Sequence, residues 1–195
     1  MMPFVPWSRP AADDTAVLLA RLGAGDAAAF DVLYRREAGA VYRYALAMAG
    51  DAAAAADATH DAFVALAVRP SGFDPARGAL GAYLAGIARH ALLALRRGAF
   101  EAIDDDHAGD DAACAGASPE DLQVRRQGRD ALWRAIRALP WPQREALVLV
   151  DLQERPYAQA AAIAGCELNT LRTRLHRARQ RLAALLGAAA QELST

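Results

Sequence analysis

The chain has 195 residues, 54% of them hydrophobic and 23% charged, with a formal net charge of −1. That length suits one ordinary domain or two small ones, and that composition excludes wholesale disorder. No apolar run reaches the roughly 18–20 residues that cross a bilayer, and Pro3, Pro6, Pro10, Asp13 and Asp14 interrupt the N-terminus, so neither membrane insertion nor a secretory signal is expected and the chain reads as cytoplasmic.

Residues 1–24 read as a tail with a short helical pattern over Thr15–Leu22. Asp26 can cap the next helix, in which Phe30, Leu33, Tyr34, Val41, Tyr42, Ala45 and Leu46 recur at helical spacing. Gly50-Asp51 ends it and caps a third helix with Ala55, Ala58, Thr59, Ala62, Phe63 and Leu66 on one stripe. Arg69-Pro70-Ser71-Gly72 is a break, and a fourth helix follows over about Leu80–Arg97. Residues 98–121 hold eight acids, no Arg and no periodicity, which marks a flexible linker. Ser118-Pro119 opens the second unit, with Ser as N-cap and Pro at the first helical position. One helix carries Leu132, Trp133, Ile136 and Leu139; the next starts at Pro140-Trp141-Pro142 and turns Ala146, Leu147, Leu149 and Val150 inward. A short helix over Tyr157–Ala164, a turn at Gly165 and a long helix over about Asn169–Leu186 complete the unit; 187–195 is a tail. The expected fold is all α, two small helical domains at 25–97 and 122–186 joined by an acidic linker.

The last two helices have the layout of a helix-turn-helix. At 100° per residue, Leu168, Leu171, Leu175, Ala178 and Leu182 fall within a stripe of about 80° that faces the core. Asn169, Thr173, His176 and Arg177 lie near the opposite side, flanked by Arg172, Arg174, Arg179 and Arg181. Asn and Arg can pair with base edges, and flanking arginines neutralise phosphate. The chain contains no lysine, and residues 122–186 carry twelve arginines against five acids, a balance suited to nucleic acid.

On these residues the chain resembles the extracytoplasmic-function sigma factors of bacterial RNA polymerase. The stretch LPWPQREALVLVDLQERPYAQAAAIAGCELNTLRTRLHRARQRLAALL is similar to their promoter-reading C-terminal domain, including the Arg-Leu-His-Arg-Ala-Arg signature at Arg174–Arg179. DAAAFDVLYRREAGAVYRYALAMAGDAAAAADATHDAF, followed by FDPARGALGAYLAGIARHALLALRR, is similar to the domain that grips the polymerase and melts the upstream promoter element. The resemblance implies a −35-reading set of Asn169, Thr170, Arg172, Thr173, Arg174, His176 and Arg177. It implies Tyr83, Arg89 and His90 for the −10 element, where an exposed aromatic can stack on an unpaired base. Asp57, His60 and Asp61 are the candidates for docking on the polymerase. The implied partners are core RNA polymerase, promoter DNA and an anti-sigma factor, and the free protein is expected to be monomeric. The linker resembles a segment that threads toward the polymerase cleft, its charge imitating nucleic acid. The rival readings are a stand-alone helix-turn-helix regulator and a sigma-like decoy for an anti-sigma protein.

No enzyme chemistry is expected. His60-Asp61 has no second metal-binding cluster beside it, since His90, His107 and His176 lie in unlike segments. The acids Asp104, Asp105, Asp106, Asp110 and Asp111 lack the alternation and distal Glu of a calcium loop. Cys114 and Cys166 form no Cys-x-x-Cys pair, and Cys166 is expected as a small buried hydrophobe. No cofactor or metal is implied.

Overall fold

A computed structural model describes residues 12–101 and 119–192. The N-terminal tail, Cys114 and most of the acidic stretch lie outside the described residues. Among the described residues the fold is all α, without strands. The elements are α1 (Ala12–Gly23), α2 (Ala27–Ala49), α3 (Ala52–Val68), α4 (Leu80–Glu101), α5 (Pro119–Arg137), α6 (Trp141–Leu147), α7 (Tyr157–Ala164) and α8 (Leu168–Glu192). Two short 3-10 turns, Pro70–Gly72 and Pro75–Arg77, fill the break between α3 and α4.

The helix ends follow local chemistry. The Asp26 carboxylate accepts from the Ala28 N–H at 2.9 Å, and Asp51 accepts from Ala54 N–H at 2.7 Å, satisfying donors that the first helical turn leaves open. Gly50 closes α2 in the left-handed region at φ 75°, and Gly165 closes α7 at φ 59°, where a Cβ would be strained. Helix α4 runs four residues past the expected end at Arg97, and α8 runs six past Leu186. The α8 extension crosses the Ala-rich run Ala188-Ala189-Ala190, which favours helix.

Helices α2, α3 and α4 pack as a three-helix unit around Leu33, Val41, Tyr44, Met48, Phe63, Leu66 and Leu84. Tyr44 and Met48 are among its most deeply buried side chains, whereas Tyr34 and Tyr42, expected in the stripe, are exposed and half-buried. Tyr34 instead joins Phe30 and Phe63 in an aromatic cluster at the α2–α3 edge, 4.7 Å from the Phe63 ring centroid. In the second unit α6, α7 and α8 enclose Leu139, Leu147, Leu149, Ile163, Leu171, Leu175 and Ala178. Leu168 departs from its expected stripe and is exposed, because it is the first residue of α8. Cys166 is half-buried rather than buried.

Helix α6 runs directly into a π-helical turn, Val148–Leu152, in which the Gln153 N–H reaches the Val148 carbonyl at 2.9 Å. One extra residue per turn rotates the following side chains relative to an α-helix. Glu154 then takes φ 51°, the sole non-Gly residue with positive φ among the described residues. The two units also pack on each other: α4 lies against α7, and α2 touches α6 and the π turn, so the buried apolar residues form one contiguous core.

Candidate nucleic-acid interface

Helix α7, the left-handed Gly165 and α8 form the helix-turn-helix. The turn is tied by the Gly165 N–H to the Ala162 carbonyl at 3.3 Å and the Cys166 N–H to the Ala161 carbonyl at 3.1 Å. Leu171, Leu175 and Ala178 are buried, which fixes the rotation of α8 and turns its other side outward. Asn169, Thr170, Arg172, Thr173, His176 and Arg177 are all exposed on that side, and Arg174 is half-buried. Near the start of the helix the Arg172 Nη1 donates to Asn169 Oδ1 at 3.4 Å, and the Arg172 guanidinium lies 6.0 Å from the Tyr157 ring centroid. The Thr173 hydroxyl donates to the Asn169 carbonyl at 3.0 Å, a back-bond that leaves its lone pairs outward. Arg179, expected at the phosphate shoulder, is held instead by Asp151 of the π turn, through Nε–Oδ2 at 2.9 Å and Nη2–Oδ1 at 2.6 Å. That two-pronged pair holds the guanidinium well above its ordinary pKa.

On the first unit, Asp57, His60 and Asp61 are exposed along α3, opposite the buried Ala58, Ala62 and Phe63. On α4, His90 is exposed and Tyr83 is half-buried, its ring 5.4 Å from that of Phe73. Arg89, of the same expected −10 set, faces the second unit. Its Nε donates to Glu145 Oε1 at 2.7 Å and its Nη2 to the Ala164 carbonyl at 3.0 Å. The Tyr44 hydroxyl donates to the same Glu145 oxygen at 2.8 Å. Burial and the neighbouring carboxylate raise the Tyr44 pKa well above that of an ordinary phenol, so it stays a donor.

Sequence reasoning missed this seam. Glu145 is wholly buried beside the core residues Ala146, Leu147 and Leu149. The signal was a carboxylate set directly before an aliphatic run, a place where a charge is costly without a partner. Arg144 Nη1 donates to the Met48 carbonyl at 2.8 Å, and Gln153 Nε2 to the Ala40 carbonyl at 3.0 Å. Arg155 is buried with its pKa pushed down to about 10 by desolvation, opposed by Glu37 and Tyr44. Among the described residues no cluster of three or more His, Cys, Asp or Glu could hold a metal ion. Nor is any described helix long and apolar enough to cross a membrane.

A basic helix-turn-helix with an open outer face, carried beside a second helical unit, matches known proteins at both parts. Residues 33–99 match the family Sigma-70 region 2, and residues 129–182 match Sigma-70, region 4. The chain is 32% identical over 184 residues to the ECF RNA polymerase sigma factor SigE of Mycolicibacterium smegmatis, covering 90% of this chain and 69% of that one. It is 35% identical over 173 residues to the ECF RNA polymerase sigma factor SigM of Mycobacterium tuberculosis, covering 88% and 84%. The solved structure of CnrH in complex with the cytosolic domain of CnrY is similar at a TM-score of 0.64 and 25% identity, over 91% of this chain and 99% of that one. The sigma factor RpoE, solved with the anti-sigma factor NepR from Bartonella quintana, shares the fold at a TM-score of 0.64 and 24% identity, over 81% and 96%. The class so defined is a sigma-70-type factor, with region 2 ahead of region 4. Within that class the chain belongs to the extracytoplasmic-function sigma factors of RNA polymerase.

Proposed function

We propose that this protein binds core RNA polymerase and directs initiation at promoters whose −35 element is read by α8 and whose −10 element is read by α4. The observation that carries the −35 assignment is the outward face of α8, where Asn169, Thr173, His176 and Arg177 stand clear of the buried Leu171 and Leu175. Short hydrogen-bonding groups and guanidiniums on one exposed face are what paired contacts to base edges require. Thr170, Arg172 and Arg174 complete the surface that would lie along the groove. The outer face of α3, with Asp57, His60 and Asp61, is the proposed polymerase contact, and Tyr83, Arg89 and His90 are the proposed −10 contacts. The proposed units are 25–97 and 122–186, with 98–121 as the linker between them.

The work of such a protein is binding rather than covalent chemistry, done in the cytoplasm where polymerase and promoter meet. An anti-sigma factor is the proposed regulator; CnrH, similar over nearly its whole length, has been solved bound to the cytosolic domain of CnrY. Run-off transcription with core polymerase on the protein's own upstream region tests the reading. Specific initiation is expected only when both proteins are present, with weak promoter binding by the factor alone. Tight, specific binding without core, and no effect on core transcription, would instead identify a stand-alone regulator.

A further inference from the structure

We infer that the cleft bordered by the middle of α2, the start of α4 and the start of α7 is a small-molecule site, and that it takes a compact amphipathic acid, one carboxylate on an apolar body. The site is independent of which DNA α4 and α8 read.

The first ground is shape. The cleft has a volume of about 690 Å³, inside the range of roughly 300–1,000 Å³ that small-molecule sites occupy. Its walls are largely apolar. Phe73 and Leu80 on that wall are buried, and the Phe73 ring packs 5.4 Å from that of Tyr83. Pro75, Ala79 and Pro156 continue the wall. Proline and alanine have almost no rotamer freedom to lose, so this surface binds without being ordered first.

The second ground is charge. Arg155 and Glu37 both line the cleft and are only 2% and 3% exposed. Arg36 lies beside them, its Nε donating to Glu37 Oε1 at 2.9 Å and its Nη2 to the Thr15 hydroxyl at 2.9 Å. Arg155 is held in place by Gln153, through Nε at 2.9 Å, and by Gln159, through Nη1 at 3.3 Å. Two guanidiniums therefore share one buried carboxylate, and one positive charge is in excess at the buried end. Glu154 also lines the cleft, but it is exposed, where water weakens its field. The start of α7 adds to the excess, because Pro156 in the cap position supplies no side-chain acceptor to the positive end of that helix. Burial holds Arg155 down at about 10 and Glu37 above the ordinary carboxyl value. Titratable groups perturbed in this way inside a cleft are a mark of binding sites.

The two grounds together select the ligand. An apolar molecule without charge leaves the excess at Arg155 uncompensated, and a small inorganic anion leaves the wall of Phe73 and Leu80 wet. A dianion brings a second negative charge against Glu37. A monocarboxylate with a chain or ring of about six to eight carbons meets both the wall and the charge.

The test uses the full-length chain and sodium octanoate, titrated by calorimetry and followed by amide NMR shifts. Octanol keeps the apolar body without the charge, and sodium acetate keeps the charge without the body. The expected result is saturable one-to-one octanoate binding at about 1 mM or below, at least about tenfold tighter than octanol or acetate. The largest shifts should fall at Leu80, Arg155 and Ala158. Ala158→Trp, at an exposed position on the cleft wall, should abolish octanoate binding. Arg155→Met should weaken octanoate about tenfold or more and leave octanol unchanged. No saturable octanoate binding in that range would overturn the inference. So would octanol binding as tightly as octanoate, or octanoate affinity unchanged in either variant. Circular dichroism checks the fold of both; if Arg155→Met loses helix, Ala158→Trp and the wild-type ratio of octanoate to octanol affinity decide.

Discussion

At the scale of single residues, Arg177 and Arg179 sit two positions apart on α8 and are in different situations. Arg177 is exposed on the reading face, whereas Arg179 is held by Asp151. Arg177→Ala should therefore cost about 1–3 kcal/mol of promoter binding and change which −35 sequence is preferred. Asp151→Ala should release Arg179 to phosphate and steepen the salt dependence by about one unit of slope, without changing sequence preference. Because that pair is exposed on the Arg179 side, its loss should alter fold stability by less than about 1 kcal/mol. Holoenzyme binding to a promoter library randomised at −35, at two salt concentrations, checks both; identical preferences and slopes in all three proteins would remove α8 from DNA reading. Glu37 is a different case. Burial raises its carboxyl above the ordinary 4.5, against the pull of Arg36 and Arg155. A carboxyl whose folded pKa is raised contributes its full stability below the unfolded value and loses it as pH rises through the folded one. Wild type should thus gain in melting temperature relative to Glu37→Gln as pH is lowered from 7 toward 4.5. A melting-temperature difference that stays constant over that range would contradict this.

At the scale of elements, α3 shows how one helix can serve the core and a partner at once. Ala55, Ala58, Thr59, Ala62, Phe63 and Leu66 are buried on one side, and the Thr59 hydroxyl bonds back to the Ala55 carbonyl at 2.7 Å instead of seeking a partner outside. Asp57, His60 and Asp61 project from the other side and make no packing contribution that their removal would cost. Reversing charge with Asp57→Arg and Asp61→Arg should weaken co-purification with core polymerase several-fold and leave the circular dichroism and melting curves unchanged, as for ordinary surface substitutions. Unchanged co-purification would take this face out of the interface. The α6–π-turn junction does the opposite: it is a local departure from α-geometry whose consequences are distant. It places Asp151 against Arg179 and Gln153 against the Ala40 carbonyl, which are 28 and 113 positions away in the chain.

At the scale of the whole molecule, helix existence, order and most inward faces follow from the sequence by itself. Capping at Asp26 and Asp51, the breaks at Gly50 and Gly165, and the Leu171–Leu175–Ala178 stripe act between residues a few positions apart, where periodicity and turn chemistry are readable. The helix-turn-helix and the outward set on α8 are legible for the same reason: once the apolar stripe is placed, the opposite face is determined. What only the tertiary structure decided is the seam. Arg89 and Glu145 are 56 positions apart, Arg89 and Ala164 are 75, and Tyr44 and Glu145 are 101. No local pattern distinguishes an arginine that faces solvent from one that crosses to another unit, or a Glu at a helix surface from one that is wholly buried. The burial of Tyr44 in place of Tyr42, and the diversion of Arg179 to Asp151, arise in the same way. Side-chain spacing fixes which way a helix faces its own neighbours, but a polar group's partner is set by where distant helices come to rest.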